Sequence, residues 1–218
     1  MTALLPTAAS LLDALERTGP RPALAWYAPE GRTELSGHVL ANWVIKAIGH
    51  LDAEIALAPG DPVALAMPPH WKRLVLALAA HALGAEVEVL APGTAPTREP
   101  RVLVTDEPSG PLAEDAEEVL ALQPVALAPR FAGELPPLVH DWVAEVRAHP
   151  DRLAAPLPAW SGPTPAGSGE RVLLTGDGAG AAELPGALAA WLAGGGVVGP
   201  AAAVSARAAR EEGVSGTD

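Results

Sequence analysis

Residues 57–92 constrain the fold of this chain more than any other stretch, because they predict a strand, a helix and a second strand in direct succession. Residues 62–67 are a short apolar run, which is typical of a strand buried on both faces. Residues 71–83 are apolar on nearly every side, and this predicts a buried helix that ends at Gly84. Residues 86–90 predict the second strand. Strands joined by a helix run parallel with a right-handed crossover, so this stretch predicts a parallel sheet.

The same alternation of helices and strands continues on both sides of this unit. Apolar residues three and four apart predict helices over residues 7–18, 39–55, 113–122, 138–148, 181–192 and 201–212. Short apolar runs predict strands over residues 23–27, 101–105, 125–128, 171–175 and 196–198, and residues 33–35 predict the return of a hairpin. We therefore predict an α/β fold of three layers, in which helices cover both faces of a mostly parallel sheet.

A connection rich in proline and glycine, residues 150–169, interrupts this alternation. It could divide two domains, but the residues that follow it are too few to bury a core alone. We therefore predict a single α/β domain over residues 1–218, with this connection on its surface.

Charge and cysteine content exclude several classes of function. The formal net charge is −12, and the lysines are Lys46 and Lys72 alone. A protein that grips a polyanion needs clustered cations, so we expect neither nucleic acid nor an anionic membrane as a partner. The chain has no cysteine, which excludes disulfides and thiolate zinc sites and fits a reducing compartment. The first residues lack a basic signal-peptide region, so we expect a cytoplasmic protein.

The uncharged run of residues 184–206 is long enough to span a bilayer. It contains three consecutive glycines at 194–196 and a proline at 200, and its alanines and glycines partition weakly into lipid. A buried helix, a turn and a strand is therefore the better interpretation of this run.

Several segments resemble, in order, the large N-terminal domain of the adenylate-forming (AMP-binding) enzymes, a superfamily of acyl-CoA synthetases, luciferases and nonribosomal peptide adenylation domains. The central block matches through Pro59, Gly60, Asp61, Val63, Pro68, Ala79, Gly84, Ala85 and Pro92. Weaker matches lie at residues 35–51, 101–106, 191–198 and 212–214. The resemblance implies the front part of an acyl-CoA synthetase-like fold, in a truncated, stand-alone form. The bias towards alanine, proline and arginine suggests a bacterial source.

Departures from the family pattern bear on activity. The family's phosphate loop is rich in serine, threonine and glycine and carries a lysine. Residues 175–183, TGDGAGAAE, stand in the corresponding place and have neither the run of hydroxyls nor the lysine. The family's small C-terminal domain with a catalytic lysine also has no counterpart in these 218 residues. We therefore expect no adenylation by this chain alone.

The first candidate ligand site is the glycine-rich turn that follows Thr175. Gly176, Gly178 and Gly180 lie between a predicted strand and a predicted helix, where backbone N–H groups suit a phosphate. Asp177 places a negative charge inside this turn, and a tight structural turn is the alternative interpretation. No cofactor is expected, with ATP or AMP and Mg²⁺ as the alternative.

The second candidate site lies where predicted parallel strands end, which is where open α/β sheets place ligands. His70 and Trp71 follow one such strand, and Asp106 follows another. Asp106 could form a carboxylate pair with Asp177. The favoured alternative is that Trp71 packs on the core and His70 is solvated.

The other histidines do not predict a metal site. His81 lies in an apolar helix, where a satisfied core histidine is the usual role. His38, His50, His140 and His149 show no ligand spacing, so we predict no metal site.

Two classes of function remain open from the sequence. The first is a binding or assembly module without enzymatic activity. The alternative is an enzyme that binds a nucleotide or an acyl group in the strand-end cleft, with a partner chain if necessary. A homodimer would cover a sheet edge left after Val214.

Overall fold

The computed structural model describes residues 8–167 and 171–214. These residues form two compact units. The terminal unit comprises Met1–Trp43 and Pro163–Asp218, and the central unit comprises Val44–Gly162. The single domain expected from the sequence stays a prediction.

Six helices and nine strands build the described part of the chain. The helices are α1 (Ala8–Thr18), α2 (Gly37–Ala53), α3 (Trp71–Ala82), α4 (Trp142–Val146), α5 (Leu184–Leu192) and α6 (Ala206–Glu211). The strands are β1 (Pro22–Ala28), β2 (Gly31–Ser36), β3 (Pro62–Ala66), β4 (Glu86–Val89), β5 (Val102–Thr105), β6 (Glu118–Ala121), β7 (His140–Asp141), β8 (Val172–Leu173) and β9 (Val197–Gly199). Within the described ranges, no helix has the combination of length and hydropathy that a bilayer span needs.

The central unit holds a five-stranded parallel sheet in the order β4-β3-β5-β6-β7. Val63 of β3 pairs with Val87 on one side and with Val102 on the other. Every residue of α3 is buried, which explains why its sequence is apolar on nearly every side. Gly84 ends this segment with a φ of +80°, a conformation that L-residues rarely adopt. The predicted strand–helix–strand unit is confirmed.

The terminal unit holds a four-stranded sheet in the order β2-β1-β9-β8. β1 and β2 form the predicted antiparallel hairpin, and β9 pairs in parallel with β1 and with β8. Trp191 of α5 is fully buried, and its indole N–H donates to the carbonyl oxygen of Ala23, 2.9 Å away. The uncharged run after Leu184 is therefore the predicted helix, turn and strand. The α/β class is confirmed, with its parallel strands divided between two sheets.

Two predicted elements that follow β5 in the chain are wrong. The predicted helix over residues 113–122 is instead a short 3-10 turn, Pro111–Ala113, followed by β6. The buried apolar run of residues 119–122 is short enough to fit either a strand or one turn of a helix. Parallel pairing with β5 makes it a strand. The predicted strand over residues 125–128 does not form, since Val125 is 45% exposed and Leu127 is 77% exposed.

Other predicted elements are shorter than expected because local caps set their ends. The predicted helix over residues 138–148 begins only after Asp141, whose carboxylate accepts from the N–H of Ala144. The predicted helix over residues 201–212 is a 3-10 turn and then α6, which Ser205 caps through the N–H of Ala208. The first residue of the predicted helix over residues 7–18, and the chain that follows Val214, lie outside the described residues.

Candidate functional site

A cleft in the central unit lies at the carboxyl ends of its parallel strands. It is a cavity of about 430 Å³. Met67 follows β3, Leu90 follows β4 and Asp106 follows β5, and all three line the cavity. Parallel strands present their carboxyl ends at one edge of a sheet, so this cleft is the expected ligand position for such a fold.

Asp106 is the ionisable residue from the sequence prediction that does line this cleft. Burial raises the pKa of its carboxyl group, and the neighbouring Glu107 adds to this, against a backbone hydrogen bond that lowers it. The preceding Thr105 turns its hydroxyl inward to accept from the N–H of Glu107, 3.0 Å away. A carboxyl group in a largely apolar recess, which Glu107 also lines, can orient a ligand that carries a hydroxyl, amide or amine.

His70 and Trp71 are both buried where α3 begins. Trp71 is 1% exposed, as the core interpretation predicted. His70 is also 1% exposed, so the prediction that it is solvated is wrong. Its Nδ1 accepts from the N–H of Lys72 and caps α3, which replaces solvent with a backbone donor. Burial, together with the charges of Lys72 and Arg73, lowers the pKa of His70 to about 3.

The glycine-rich loop of the terminal unit joins β8 to α5 and keeps the expected strand–loop–helix arrangement. Gly178 has a φ of +82°, and Gly176 lies so close to a carboxylate that an added Cβ would stand 3.1 Å from it. That carboxylate belongs to Glu183. The N–H of Gly176 donates to both oxygens of Glu183, at 3.0 and 3.1 Å, and the N–H of Gly178 donates to one of them at 3.2 Å.

A second carboxylate occupies the same loop. Asp177 is 1% exposed, and its Oδ1 accepts from the N–H of Ala179, 3.1 Å away. Thr175, the hydroxyl residue of the loop, is exposed. The N–H groups of Gly176, Gly178 and Ala179 therefore already bind carboxylate oxygens of the chain itself.

The sequence analysis identified the loop but missed Glu183. An acidic residue at the start of a helix, directly after a glycine-rich turn, is the signal that could have found it, because helix N-termini attract negative charge. Asp106 belongs to the central unit and Asp177 to the terminal unit, and their proposed carboxylate pairing stays a prediction.

Comparisons with known proteins identify the architecture. The structure is similar to an acyl-CoA synthetase from Brucella canis, with a TM-score of 0.67 and 20% identity over 87% of this chain and 42% of that one. The acetoacetyl-CoA synthetase from Streptomyces lividans gives a TM-score of 0.68 and 17% identity over 88% of this chain and 37% of that one. The chain has the fold of an acyl-CoA synthetase N-terminal domain.

Further comparisons agree with this acyl-CoA synthetase-like fold. The N-terminal subdomain of NpsA from Klebsiella oxytoca matches with a TM-score of 0.62 and 15% identity over 96% of this chain and 59% of that one. In sequence, a TIGR03089 family protein of Mycobacterium tuberculosis is 30% identical over 159 residues, which cover 70% of this chain and 64% of that protein. The chain thus spans less than two thirds of each of these proteins. No protein-family model matches the sequence.

Proposed function

We propose that this chain is an adenylate-forming-like binding module that does not itself adenylate a carboxylic acid. The observation that carries this proposal is the Glu183 carboxylate, which accepts hydrogen bonds from Gly176 and Gly178 in the glycine-rich loop. Adenylation requires positive charge and free donors where negative charge develops on the phosphates. This loop instead presents occupied donors and two carboxylates.

Electrostatics strengthens the argument. An entering phosphate would meet Asp177 and Glu183, and each pair of like charges about 4 Å apart repels by roughly 1 to 4 kcal/mol between water-like and surface dielectrics. The dipole of a helix N-terminus offers about 0.3 to 1 kcal/mol at an exposed site. Residues 175–183 contain no lysine or arginine that would balance the charge. The repulsion of a phosphate by these two carboxylates therefore exceeds its attraction to the helix N-terminus.

Binding of ATP, measured by titration calorimetry with and without Mg²⁺, tests the role of Glu183. We expect no saturable binding to the wild-type chain. Glu183→Ala frees the N–H groups of Gly176 and Gly178, so we expect saturable ATP binding by this variant, at least tenfold tighter than the limit that the wild-type titration sets. Glu211→Ala is the matched control, because this carboxylate lies on an exposed helix of the same unit and pairs with Arg207. Saturable binding by the wild type that Glu183→Ala weakens would contradict the proposal.

The ligand of the module would enter the strand-end cleft. Its volume of about 430 Å³ suits a small molecule, and Asp106 supplies a polar contact within a largely apolar lining. A thermal-shift screen against carboxylic acids, acyl-CoAs and nucleotides would find such a ligand, because selective binding to the folded state raises the melting temperature. The shift should fall with Asp106→Asn and persist with Asp115→Asn, an exposed carboxylate outside the cleft lining.

An enzyme acting in this cleft is the second candidate function, because Asp106 has a raised pKa in a ligand-sized recess. Turnover of a compound found by the screen, lost on Asp106→Asn, would favour the enzyme. Saturable binding without turnover would favour the binding module.

A homodimer is also part of the proposal, on the grounds that the open edge of a sheet can pair with another chain. Within the described residues, β8 lies at one edge of the terminal sheet and pairs with β9 on its other side. Light scattering over a range of concentrations should give twice the chain mass. A constant monomer mass at high concentration would contradict this part of the proposal.

A further inference from the structure

Three side chains with metal-ligand atoms converge in the central unit, and none of them lines the strand-end cleft. His50 lies near the end of α2, His140 begins β7 and Glu145 lies in α4. One oxygen of Glu145, Oε2, is 3.0 Å from His50 Nε2 and 2.7 Å from His140 Nδ1. The three ligand atoms all lie within 4.8 Å of one another.

These separations fit a metal ion after small side-chain shifts. Zinc bonds to imidazole nitrogen and carboxylate oxygen are about 2.0 to 2.2 Å long, which places the ligand atoms of a tetrahedral site about 3.4 Å apart. The two contacts of Glu145 are slightly shorter than that, as expected of ligands drawn together by hydrogen bonds. The His50 and His140 rings stand nearly perpendicular, at 88°, with their centroids 5.8 Å apart.

His140 has a carboxylate at each of its ring nitrogens. Its Nδ1 faces Glu145 at 2.7 Å, and its Nε2 faces Glu118 at 3.3 Å. A neutral imidazole carries one N–H, so it can donate to only one of these two carboxylates. If Nε2 donates to Glu118, then the lone pair of Nδ1 faces the carboxylate of Glu145, and the two repel each other. A cation between Nδ1 and Glu145 replaces this repulsion with two coordinate bonds.

Glu118 then takes the position of an outer carboxylate behind a metal-binding histidine, which fixes the tautomer and the orientation of the ring. Arg101 holds Glu118 in turn, with Nη1 to Oε1 at 3.5 Å, and its Nη2 donates to the backbone oxygen of Ile55. The support of His140 is therefore built into the sheet, because Arg101 directly precedes β5 and Glu118 begins β6.

Burial of His50 is a second, independent observation. This side chain is 0% exposed, and its Nδ1 has no hydrogen-bond partner among the described residues. An unsatisfied buried polar atom destabilises the fold, and an apolar side chain at this position would avoid that cost. Glu145 is 37% exposed and His140 is 24% exposed, so an ion can reach the cluster from solvent.

We propose that His50, His140 and Glu145 bind one divalent transition-metal ion of the Zn²⁺ class, with water completing the coordination. Imidazole nitrogens favour such ions over Mg²⁺ and Ca²⁺, which prefer oxygen ligands. The sequence analysis predicted no metal site because these residues have no ligand spacing. Tertiary folding, rather than a local motif, brings His50 to the pair on β7 and α4.

Titration of untagged, chelator-treated protein with Zn²⁺ tests this site, with Co²⁺ as a spectroscopic probe. We expect one ion per chain, a visible Co²⁺ absorption band typical of four-coordinate nitrogen and oxygen ligands, and no binding of Mg²⁺. Glu145→Gln and His140→Gln should each weaken binding at least tenfold. Both residues are partly exposed, so these variants are expected to fold.

His38→Gln is the matched control, because His38 contacts Glu16 in an exposed pair of the same chemical type in the terminal unit. This variant should bind Zn²⁺ as tightly as the wild type. Circular dichroism of each variant would verify its fold, and a folded Glu145→Gln protein that still binds Zn²⁺ at wild-type affinity would overturn the proposal. Absence of stoichiometric binding to the wild type would also overturn it.

Discussion

Glu212 joins several elements of the terminal unit through one carboxylate. Its Oε1 accepts from the Tyr27 hydroxyl at 2.9 Å and from Arg32 Nε at 2.6 Å, and its Oε2 accepts from Arg171 at 2.9 Å. Burial by itself raises the pKa of Glu212, but the contacts with Arg32, Tyr27 and Arg171 outweigh it and lower the pKa. One carboxylate thus connects β1, β2 and the residue before β8 to the end of α6.

Glu212→Ala should therefore destabilise the chain. The substitution leaves Arg32 and Arg171 without the carboxylate that they share. We expect a loss of about 2 kcal/mol in the free energy of unfolding. Urea denaturation measures this loss. Glu211→Ala is the control, since its ion pair with Arg207 is exposed and should contribute less than about 0.5 kcal/mol. Equal effects of the two variants would contradict the role given to Glu212.

His81 makes stability depend on pH. It is buried on α3, its Nδ1 lies 3.2 Å from the Ser161 hydroxyl, and that hydroxyl donates to the carbonyl oxygen of Ala85. His81 therefore donates to Ser161 as a neutral ring, and burial lowers its pKa to about 4. In the unfolded chain a histidine has a pKa of about 6.5, so between these two values only the unfolded state gains a proton.

Stability should then fall as the pH decreases from about 6.5 to about 4, by up to roughly 1.4 kcal/mol per pH unit from His81 alone. Above that window His81 contributes no pH dependence. His81→Gln keeps a donor for Ser161 and cannot be protonated, so it should reduce the slope of unfolding free energy against pH in this window, while His70, whose pKa is also lowered, keeps its own contribution. An unchanged slope in the variant would show that His81 is protonated in the folded chain.

At the scale of elements, the segment from β3 to β4 could be predicted in full because each local signal agrees with the others. Apolar runs, a turn at Gly60 and a helix stop at Gly84 all indicate the same parallel unit. The segment from Pro111 to β6 could not be predicted in this way, because its acidic residues and its four-residue apolar run fit a helix and a strand equally well. Pairing with β5, which is a tertiary contact, decides that case.

Gly84 offers a test of this element. Its φ is +80°, and an added Cβ would lie 3.1 Å from the Cβ of Pro59. Gly60 has a φ of +87°, but an added Cβ would meet nothing within 4 Å. Gly84→Ala should therefore cost more than Gly60→Ala, which bears only the backbone strain of about 1 to 2 kcal/mol. The melting temperatures of the two variants measure the difference. Equal values would show that Pro59 moves away from the added Cβ without destabilising the fold.

At the scale of the whole molecule, the sequence predicted the acyl-CoA synthetase-like fold and two candidate ligand regions. It located the strand-end cleft through Asp106 and the glycine-rich loop through Gly176 and Gly178. It could not predict that Glu183 bonds to that loop, since this contact depends on how the loop curls back. Nor could it predict the cluster of His50, His140 and Glu145, whose members approach only after the central sheet has formed.

ATP–pyrophosphate exchange is the measurement that most directly tests whether this chain adenylates. The purified protein would be incubated with Mg²⁺, ATP, labelled pyrophosphate and a mixture of carboxylic acids. We predict no exchange above the background of a protein-free reaction, because Glu183 and Asp177 accept from the N–H groups of Gly176, Gly178 and Ala179 and place negative charge in the loop. Exchange clearly above background that is lost on Asp177→Ala would contradict the account, and would show that these carboxylates serve catalysis, for example by holding Mg²⁺ against the phosphates.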